Sequence, residues 1–173
     1  GIAGRVIDVG TGAGFPSLPV KIINPSISLT LVDSLNKRVL FLQEVVQALK
    51  LTDVSLFHAR AEDFLQAHAE NPYRETYDYV FARAVAPLPT LLEYTLPALR
   101  IGGELIAMKG PNALQEVADS QNALKELGGE LIETDSFVWT EQKLQRVNLR
   151  IRKASPTPER YPRKNGKAKK RPL

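Results

Sequence analysis

Short apolar runs alternate along the chain with stretches whose apolar residues recur at helical spacing. The runs, residues 6–9, 29–32, 54–57, 79–82 and 105–108, have the length and composition of strands. Between the second and third runs, Val39, Leu42, Val46 and Leu49 fall on one face of a helix. A second helix is predicted over residues 113–127, before a glycine pair of the kind that often ends a helix. Such alternation is typical of a parallel sheet covered on both faces.

The last part of this pattern differs from the rest. Residues 130–138 and 146–152 form two further apolar stretches with no obvious helix between them. Consecutive strands with a short connection pair in antiparallel fashion. The sequence therefore predicts an α/β domain over residues 1–153, with a seven-stranded, mostly parallel sheet and an antiparallel pair at one edge.

The strongest chemical signal lies at the end of the first predicted strand. There an apolar run closes at Asp8 and opens into three alternating glycines, Gly10, Gly12 and Gly14. Glycines let the backbone turn sharply and approach a ligand closely. Asp33 ends the second strand, where a carboxylate can accept hydrogen bonds from the hydroxyls of a ribose. These features predict a nucleoside-cofactor pocket at the carboxyl edge of the parallel sheet.

The glycine spacing discriminates between two classes of cofactor. Dinucleotide-binding proteins usually carry G-x-G-x-x-G, in which the last glycine seats a helix near the pyrophosphate. This chain has G-x-G-x-G followed by Phe15 and Pro16, and a bulky ring before a proline fits poorly over a diphosphate. The pattern favours a ligand without phosphate, such as S-adenosyl-L-methionine. An NAD-dependent oxidoreductase and a tight turn that binds no ligand are the alternatives.

Other candidate residues follow the remaining strands at the same edge. Ala61 and Glu62 come after the third strand, where they can meet an adenine, although Glu62 also suits the first turn of a helix. Arg83 ends the fourth strand and Lys109 the fifth, where a cation is costly to bury without a partner. We expect both cations to face the cleft and orient the substrate. The alternatives are an ordinary solvent-facing arginine at position 83 and a helix cap at Asp33.

Composition excludes several kinds of function. The 173 residues include no cysteine, which excludes disulfides and a thiol nucleophile. His58 and His68 are the two histidines, and no carboxylate cluster lies near both at metal-ligand spacing, so no metal is predicted. No stretch is apolar for long enough to span a bilayer, and no signal peptide is evident. We expect a cytoplasmic protein without membrane contact and, because the sequence opens at Gly1 just before a core strand, a fragment that lacks upstream helices.

The positive charge is concentrated at the carboxyl end. The net charge is +4, but residues 154–173 hold seven basic residues and a single acid, so the remainder is slightly negative. The basic residues of this tail are Arg160, Arg163, Lys164, Lys167, Lys169, Lys170 and Arg171. Four prolines make the tail a poor helix or strand. Its charge suits contact with nucleic acid, and a solvated, disordered end is the alternative.

Together these segments resemble the glucose-inhibited division protein B family, the small-subunit ribosomal RNA guanine-N7 methyltransferases. Residues 32–38, VDSLNKR, are the most specific match, because methyltransferases in general do not share them. The other matching segments are residues 8–16, 60–62, 82–84, 109–110 and 161–164. The resemblance covers nearly the whole chain, but the family's N-terminal helical segment is absent and residues 165–169 depart from the usual pattern.

The resemblance implies a Rossmann-like class I methyltransferase that uses S-adenosyl-L-methionine. Its implied substrate is one guanosine in a conserved loop of 16S ribosomal RNA, presented as RNA or in the small ribosomal subunit, and we expect a monomer. The tail cations would bind the RNA. The residues implied to bind the cofactor are Asp8, Gly10, Gly12, Gly14, Phe15, Asp33, Ala61, Glu62 and Arg83.

Methylation at guanine N7 fits the composition of the chain. This nitrogen has an in-plane lone pair and carries no proton, so its attack on a sulfonium methyl group requires no general base. The scarcity of histidine and the lack of cysteine agree with such a reaction, in which the protein mainly aligns the reacting atoms. Another RNA, protein or small-molecule methyltransferase and a non-catalytic RNA-binding module are the remaining alternatives.

Overall fold

A computed structural model describes residues 1–68, 70–83, 85–139 and 144–173. Within these residues the strands are β1 (Arg5–Val9), β2 (Ser28–Asp33), β3 (Val54–His58), β4 (Tyr77–Arg83), β5 (Leu99–Lys109), β6 (Gly129–Trp139) and β7 (Leu144–Lys153). They form one seven-stranded sheet in the order β3-β2-β1-β4-β5-β7-β6. The first five strands are parallel, and β7 is antiparallel to both of its neighbours. The α/β class and the antiparallel pair at one edge are confirmed, with β7 inserted between β5 and β6.

The periodicity predicts two of the helical regions. The helices of the described residues are α1 (Ser17–Ile23), α2 (Asn36–Ala48), α3 (Ala61–Phe64), α4 (Leu88–Thr95), α5 (Ala113–Asp119), α6 (Gln121–Leu127) and α7 (Lys167–Lys170). Of these, α1, α3, α4 and α7 were not predicted. In α2, Val39 and Leu42 are buried while Val46 is half-buried, which confirms the predicted apolar face. Leu49 follows the end of the helix and is exposed.

The prediction of one continuous helix over residues 113–127 is wrong. The segment forms α5 and α6, which meet at Ser120. There the amide of Ser120 donates to the Val117 carbonyl over 3.1 Å, and its hydroxyl donates to the Glu116 carbonyl. A serine that bonds back to the preceding turn competes with the regular helical ladder and bends it. The helix ends as predicted at Gly128, whose φ of +80° is left-handed.

The core lies on both faces of the sheet. Successive residues of β1 enter opposite clusters, because strand side chains alternate between the faces. Ile7 belongs to the larger cluster, which α4 and α6 cover, whereas Val6 belongs to the smaller one with Leu18 of α1 and Leu42 of α2. Burial on both faces is the reason that the parallel strands are continuous apolar runs in the sequence.

The basic tail packs against the domain rather than forming the disordered end considered as the alternative. Its prolines leave it with little regular structure apart from α7. Tyr161 and Ala168 are buried, and the Thr90 hydroxyl of α4 donates to the Ala168 carbonyl over 3.1 Å. Arg74 donates to the Tyr161 carbonyl over 2.7 Å from the loop before β4. Side-chain and backbone contacts therefore hold the tail in place.

Of the helices described, none combines the length and the apolar character needed to cross a bilayer.

Candidate cofactor site at the carboxyl edge of the sheet

The three glycines after β1 form the floor of the candidate site. All three have positive φ, +71°, +58° and +87° for Gly10, Gly12 and Gly14, which favours glycine at each position. A Cβ on Gly14 would lie 2.6 Å from the side chain of Leu18, so packing also requires this glycine. A Cβ on Gly12 would meet no atom within 4 Å. Gly12 therefore faces open space beside the end of β2.

Asp33 lies next to that open space at the end of β2. Its carboxylate, 2% exposed, accepts the Gly12 amide on Oδ2 and the Leu35 amide on Oδ1, each over 2.9 Å. Arg38 Nη1 lies 3.5 Å from Oδ2. The capping alternative is wrong, because Leu35 is the N-cap residue of α2 and no side chain caps that helix; Asp33 instead fixes the backbone just before it. A carboxylate accepts about four hydrogen bonds, so acceptor capacity remains for ribose hydroxyls.

Asp8 lies beneath the glycine turn. Its carboxyl group, 2% exposed, accepts the Thr11 hydroxyl over 3.1 Å and also the Ser17 hydroxyl. Burial raises the pKa of Asp8 to about 7; the Thr11 hydrogen bond and the charge of Arg83 act in the opposite direction, and the charge of Asp33 adds to the rise. Through its hydrogen bond with Ser17, the Asp8 carboxyl group joins β1 to the start of α1.

The residues after β3 border the same edge. Ala61 is half-buried and opens α3, whereas the Glu62 carboxylate in its first turn is 5% exposed and lies 3.9 Å from Arg60 Nη1. His58 Nε2 lies 3.1 Å from the Ser34 carbonyl and links the ends of β3 and β2. Phe15 is 53% exposed beside the glycine turn.

The two predicted substrate-orienting cations lie in different environments. Arg83 is exposed at the end of β4, close enough for its charge to act on Asp8. Lys109, 8% exposed, donates to the Ala86 carbonyl over 2.6 Å and to Glu116 Oε2 over 2.7 Å. Its ammonium group is thus bound within the protein and fixes the loop before α4. Ala84, which belongs to one of the segments that carry the family resemblance, lies outside the described residues.

Several residues of this edge were missed by the sequence analysis. Arg38 lies in the VDSLNKR segment, in the first turn of α2, and its spacing from Asp33 is the one local signal that could have identified it. Thr11 and Ser17 meet Asp8 only because the turn folds back on itself. Glu116 lies in the next helix after Lys109 and has no distinguishing motif. Among the residues that the structure describes, no three histidine, cysteine or acidic side chains group closely enough to hold a metal.

The tail cations separate into bound and exposed groups. Arg160 pairs with Glu126, and Arg163 pairs with Glu93 of α4, whose side chain is 1% exposed. Arg160 is 65% exposed despite its pair, and Lys164, Lys167, Lys169, Lys170 and Arg171 are exposed as well. Arg163 therefore helps to hold the tail, while the others present charge to solvent.

Comparison with known proteins gives a consistent result. The model of the family described as GidB, rRNA small subunit methyltransferase G, matches residues 2–145. The chain is 51% identical over 170 residues to the ribosomal RNA small subunit methyltransferase G of Leuconostoc mesenteroides, with 97% of this chain and 69% of that protein covered. It is 48% identical over 170 residues to the protein of the same name from Alkaliphilus oremlandii, with coverages of 98% and 70%.

Two solved structures illustrate the likeness in fold. The 16S rRNA (adenine(1408)-N(1))-methyltransferase of Catenulisporales acidiphilia has a TM-score of 0.68 at 16% identity, covering 88% of this chain and 86% of that one. TYW2 of M. jannaschii, solved in complex with AdoMet, has a TM-score of 0.67 at 14% identity, with coverages of 88% and 71%. These similarities confirm the Rossmann-like methyltransferase fold.

Proposed function

This chain belongs to the GidB family, rRNA small subunit methyltransferase G, and we propose that it transfers a methyl group from S-adenosyl-L-methionine to N7 of a specific guanosine in 16S rRNA. The proposal includes a monomer that works in the cytoplasm, where ribosomal RNA is modified. It rests on the family together with the geometry at the carboxyl edge of the sheet.

One observation carries the cofactor assignment. The Gly12 amide donates to the Asp33 carboxylate over 2.9 Å, so the ends of β1 and β2 meet at a single acceptor group. The position where a Gly12 side chain would project is open. A nucleoside fits this arrangement, because its ribose hydroxyls can donate to Asp33 while its body occupies the space above the glycine turn. The proposed contacts are Gly10, Gly12, Gly14, Phe15, Asp33, Ala61, Glu62 and Arg83, with Asp8 supporting the turn from below.

The proposed chemistry places few demands on acid–base groups. When bound, S-adenosyl-L-methionine supplies a methyl group on a cationic sulfur. Guanine N7 attacks through a lone pair and releases no proton, so the chain's task is to align the two partners, which is worth on the order of 7–11 kcal/mol. Arg83, exposed at the end of β4, is proposed to orient the cofactor carboxylate or an RNA phosphate. Lys109 acts indirectly, by fixing the loop after β4 through Ala86 and Glu116.

Methyl transfer from labelled cofactor to 16S rRNA tests the proposal directly. The RNA is taken from cells that lack this methyltransferase, both as free RNA and as small subunits, and the modified base is then mapped. Label at N7 of one guanosine is the expected result. Label on another base or on protein would favour a different methyltransferase, and binding of RNA without binding of the cofactor would favour a non-catalytic module.

A calorimetric titration with two cofactors tests the pocket itself. S-adenosyl-L-methionine should bind and NAD should not, because Phe15 and Pro16 stand where a dinucleotide-binding loop would approach its diphosphate. Preferential binding of NAD would overturn the assignment and restore the oxidoreductase alternative.

A further inference from the structure

Part of the tail forms a half-open cavity lined by four cationic residues and one asparagine, whose apolar side-chain stems make up most of the surface that faces it. The cavity has a volume of about 530 Å³ and is lined by Arg163, Asn165, Lys167, Lys170 and Arg171. No acidic side chain is among these lining residues. Two other exposed tail lysines, Lys164 and Lys169, lie outside the lining. The tail charge is therefore not spread evenly but partly gathered around one concave surface.

The guanidinium group of Arg163 is held in place at this cavity. Its Nε and Nη2 donate to the two carboxylate oxygens of Glu93 over 3.0 and 2.7 Å. Nη2 also donates to the Arg171 carbonyl over 2.9 Å. The Glu93 side chain is 1% exposed on α4, so the carboxylate is itself fixed by the core. The Arg163 side chain therefore forms a fixed wall of the cavity.

The opposite wall is anchored as well. It is formed by the short helix α7, which carries Lys167 and Lys170. Ala168 of this helix is fully buried, and its carbonyl accepts the Thr90 hydroxyl over 3.1 Å. The lysine side chains are therefore attached to a backbone that is docked on α4. Cations held together on a fixed frame repel one another until an anion lies between them.

The size and chemistry of the cavity match a phosphate group with part of its nucleotide. A volume of this size lies within the range of small-ligand sites. Arginine and lysine are the usual donors to phosphate oxygens. Because Glu93 already binds the fork of Arg163, Arg163 shapes the wall. The cations available to a phosphate are Lys167, Lys170 and Arg171. Asn165 adds an amide that can either donate or accept.

The cavity is linked to the cofactor edge through one side chain. Gln66 donates to the Pro162 carbonyl, next to Arg163, over 2.8 Å and to the Glu62 carbonyl over 2.6 Å. The backbone next to Arg163 is thus tied to α3, the helix proposed to border the adenine.

We propose that this cavity is a phosphate subsite that grips the backbone of the RNA substrate, and that it is distinct from the general charge of the tail. The RNA identity rests on the proposed function, whereas phosphate recognition depends only on the cavity. The chain offers a matched pair of double variants. Lys167→Gln with Lys170→Gln removes two cations from the cavity, and Lys164→Gln with Lys169→Gln removes two from outside it.

Binding of a 16S rRNA fragment is measured for both double variants over a range of salt concentrations, after equal Tm values have shown that both are folded. The cavity variant should bind at least about tenfold more weakly, and its log–log salt slope should become shallower by about 1.4, since each lost phosphate contact removes about 0.7. The control variant should lose no more than about threefold. Equal losses of RNA affinity in the two double variants would overturn the subsite, because they would show that the tail lysines contribute alike through their charge.

A direct titration separates this proposal from the proposed function. Inorganic phosphate and a nucleoside monophosphate are titrated against the wild-type protein at constant ionic strength, and amide shifts are followed by NMR. Saturable shifts at residues 163–171 that vanish in the cavity variant would support the subsite even if methyl transfer failed. Shifts without saturation, or inorganic phosphate binding as tightly as the RNA fragment, would overturn it even if methyl transfer succeeded.

Discussion

At the scale of single residues, Asp33 combines a structural and a proposed binding role. It is buried and accepts two backbone amides, so an alanine at this position would disturb the turn as well as the pocket. Asparagine keeps the shape and one acceptor but removes the charge. Asp33→Asn should weaken S-adenosyl-L-methionine binding by about 10- to 100-fold, because hydrogen bonds to a charged group contribute roughly 1.5–3 kcal/mol. Calorimetry measures this loss.

Asp119→Asn is the matched control for that variant. Asp119 is exposed at the end of α5, where it accepts the Gln115 amide, and it lies far along the chain from the glycine turn. The Asp119→Asn protein should bind S-adenosyl-L-methionine with the affinity of the wild type. A folded Asp33→Asn protein with unchanged affinity would refute the role of Asp33 in holding the ribose.

Asp8 should make the folded protein less stable as the pH rises from about 4 to about 7. Burial raises its pKa from 3.8 to about 7, so between these pH values the folded protein keeps a proton that the unfolded chain has released. Its contribution to stability is therefore complete below about pH 4 and is lost as the pH rises towards 7. The free energy of unfolding of the wild type, relative to that of Asp8→Asn, should fall over this range by an amount on the order of a few kcal/mol.

Urea unfolding at a series of pH values checks this prediction. Asp135→Asn serves as the control, since Asp135 is an exposed carboxylate on β6. The difference in the free energy of unfolding between the wild type and Asp135→Asn should show no comparable fall towards neutral pH. A difference between the wild type and Asp8→Asn that is independent of pH would mean that Asp8 is not protonated in the folded protein.

At the scale of elements, Lys109 and Glu116 join the end of β5 to two helices. Glu116 Oε2 accepts both the Lys109 ammonium and the Leu88 amide at the start of α4, over 2.7 and 2.6 Å. Glu116→Gln removes the charge and leaves a nearly buried ammonium without its counter-ion. We expect a loss of about 1–3 kcal/mol in the free energy of unfolding, measured by urea denaturation.

Glu126→Gln is a fitting comparison, because Glu126 pairs with Arg160, whose side chain is 65% exposed. An exposed pair contributes less than about 1 kcal/mol. If the two glutamine variants lost the same stability, the bond network at the end of β5 would have no special structural role.

The strands and α2 were predictable from the sequence, whereas α1, α3, α4 and α7 were not predicted. Apolar runs mark the buried strands, and apolar residues at helical spacing mark the buried face of α2. Both patterns can be recognised from residues that are close together in the sequence. The break at Ser120 was not predictable, because a serine inside a helical pattern has several possible hydrogen-bond partners. Here it donates to the carbonyl of Glu116, whose side chain is itself bound to Lys109.

At the scale of the whole molecule, the tail is part of what stabilises the domain. Tyr161 is 5% exposed, and Thr157 is a partner of Lys153, which is fully buried at the end of β7. Burial lowers the pKa of Lys153 to about 8, and Glu75 partly offsets that effect. Deletion of residues 154–173 should therefore cost at least about 3 kcal/mol, the lower range for losing a buried aromatic side chain.

The deletion should lower the Tm by roughly 6–12 °C, since each kcal/mol is worth about 2–4 °C in a domain of this size. Thermal unfolding followed by circular dichroism measures the change. The Lys164→Gln, Lys169→Gln variant, which removes charge without removing buried groups, should keep the Tm of the wild type. An unchanged Tm in the deletion would mean that the tail docks without adding stability.

The sequence by itself determined the succession of strands along the chain, helix α2, the glycine turn and the acidic residue at the end of β2. Those features depend on the backbone preferences of individual residues and on the pattern of apolar residues that are close together in the sequence. Only the tertiary structure decided which charges are bound and which are free. Arg163 meets Glu93 across 70 positions of the chain, and Lys109 turns inwards to Glu116. Such pairs form where the packing of the sheet and helices brings them together, and no local pattern encodes that meeting.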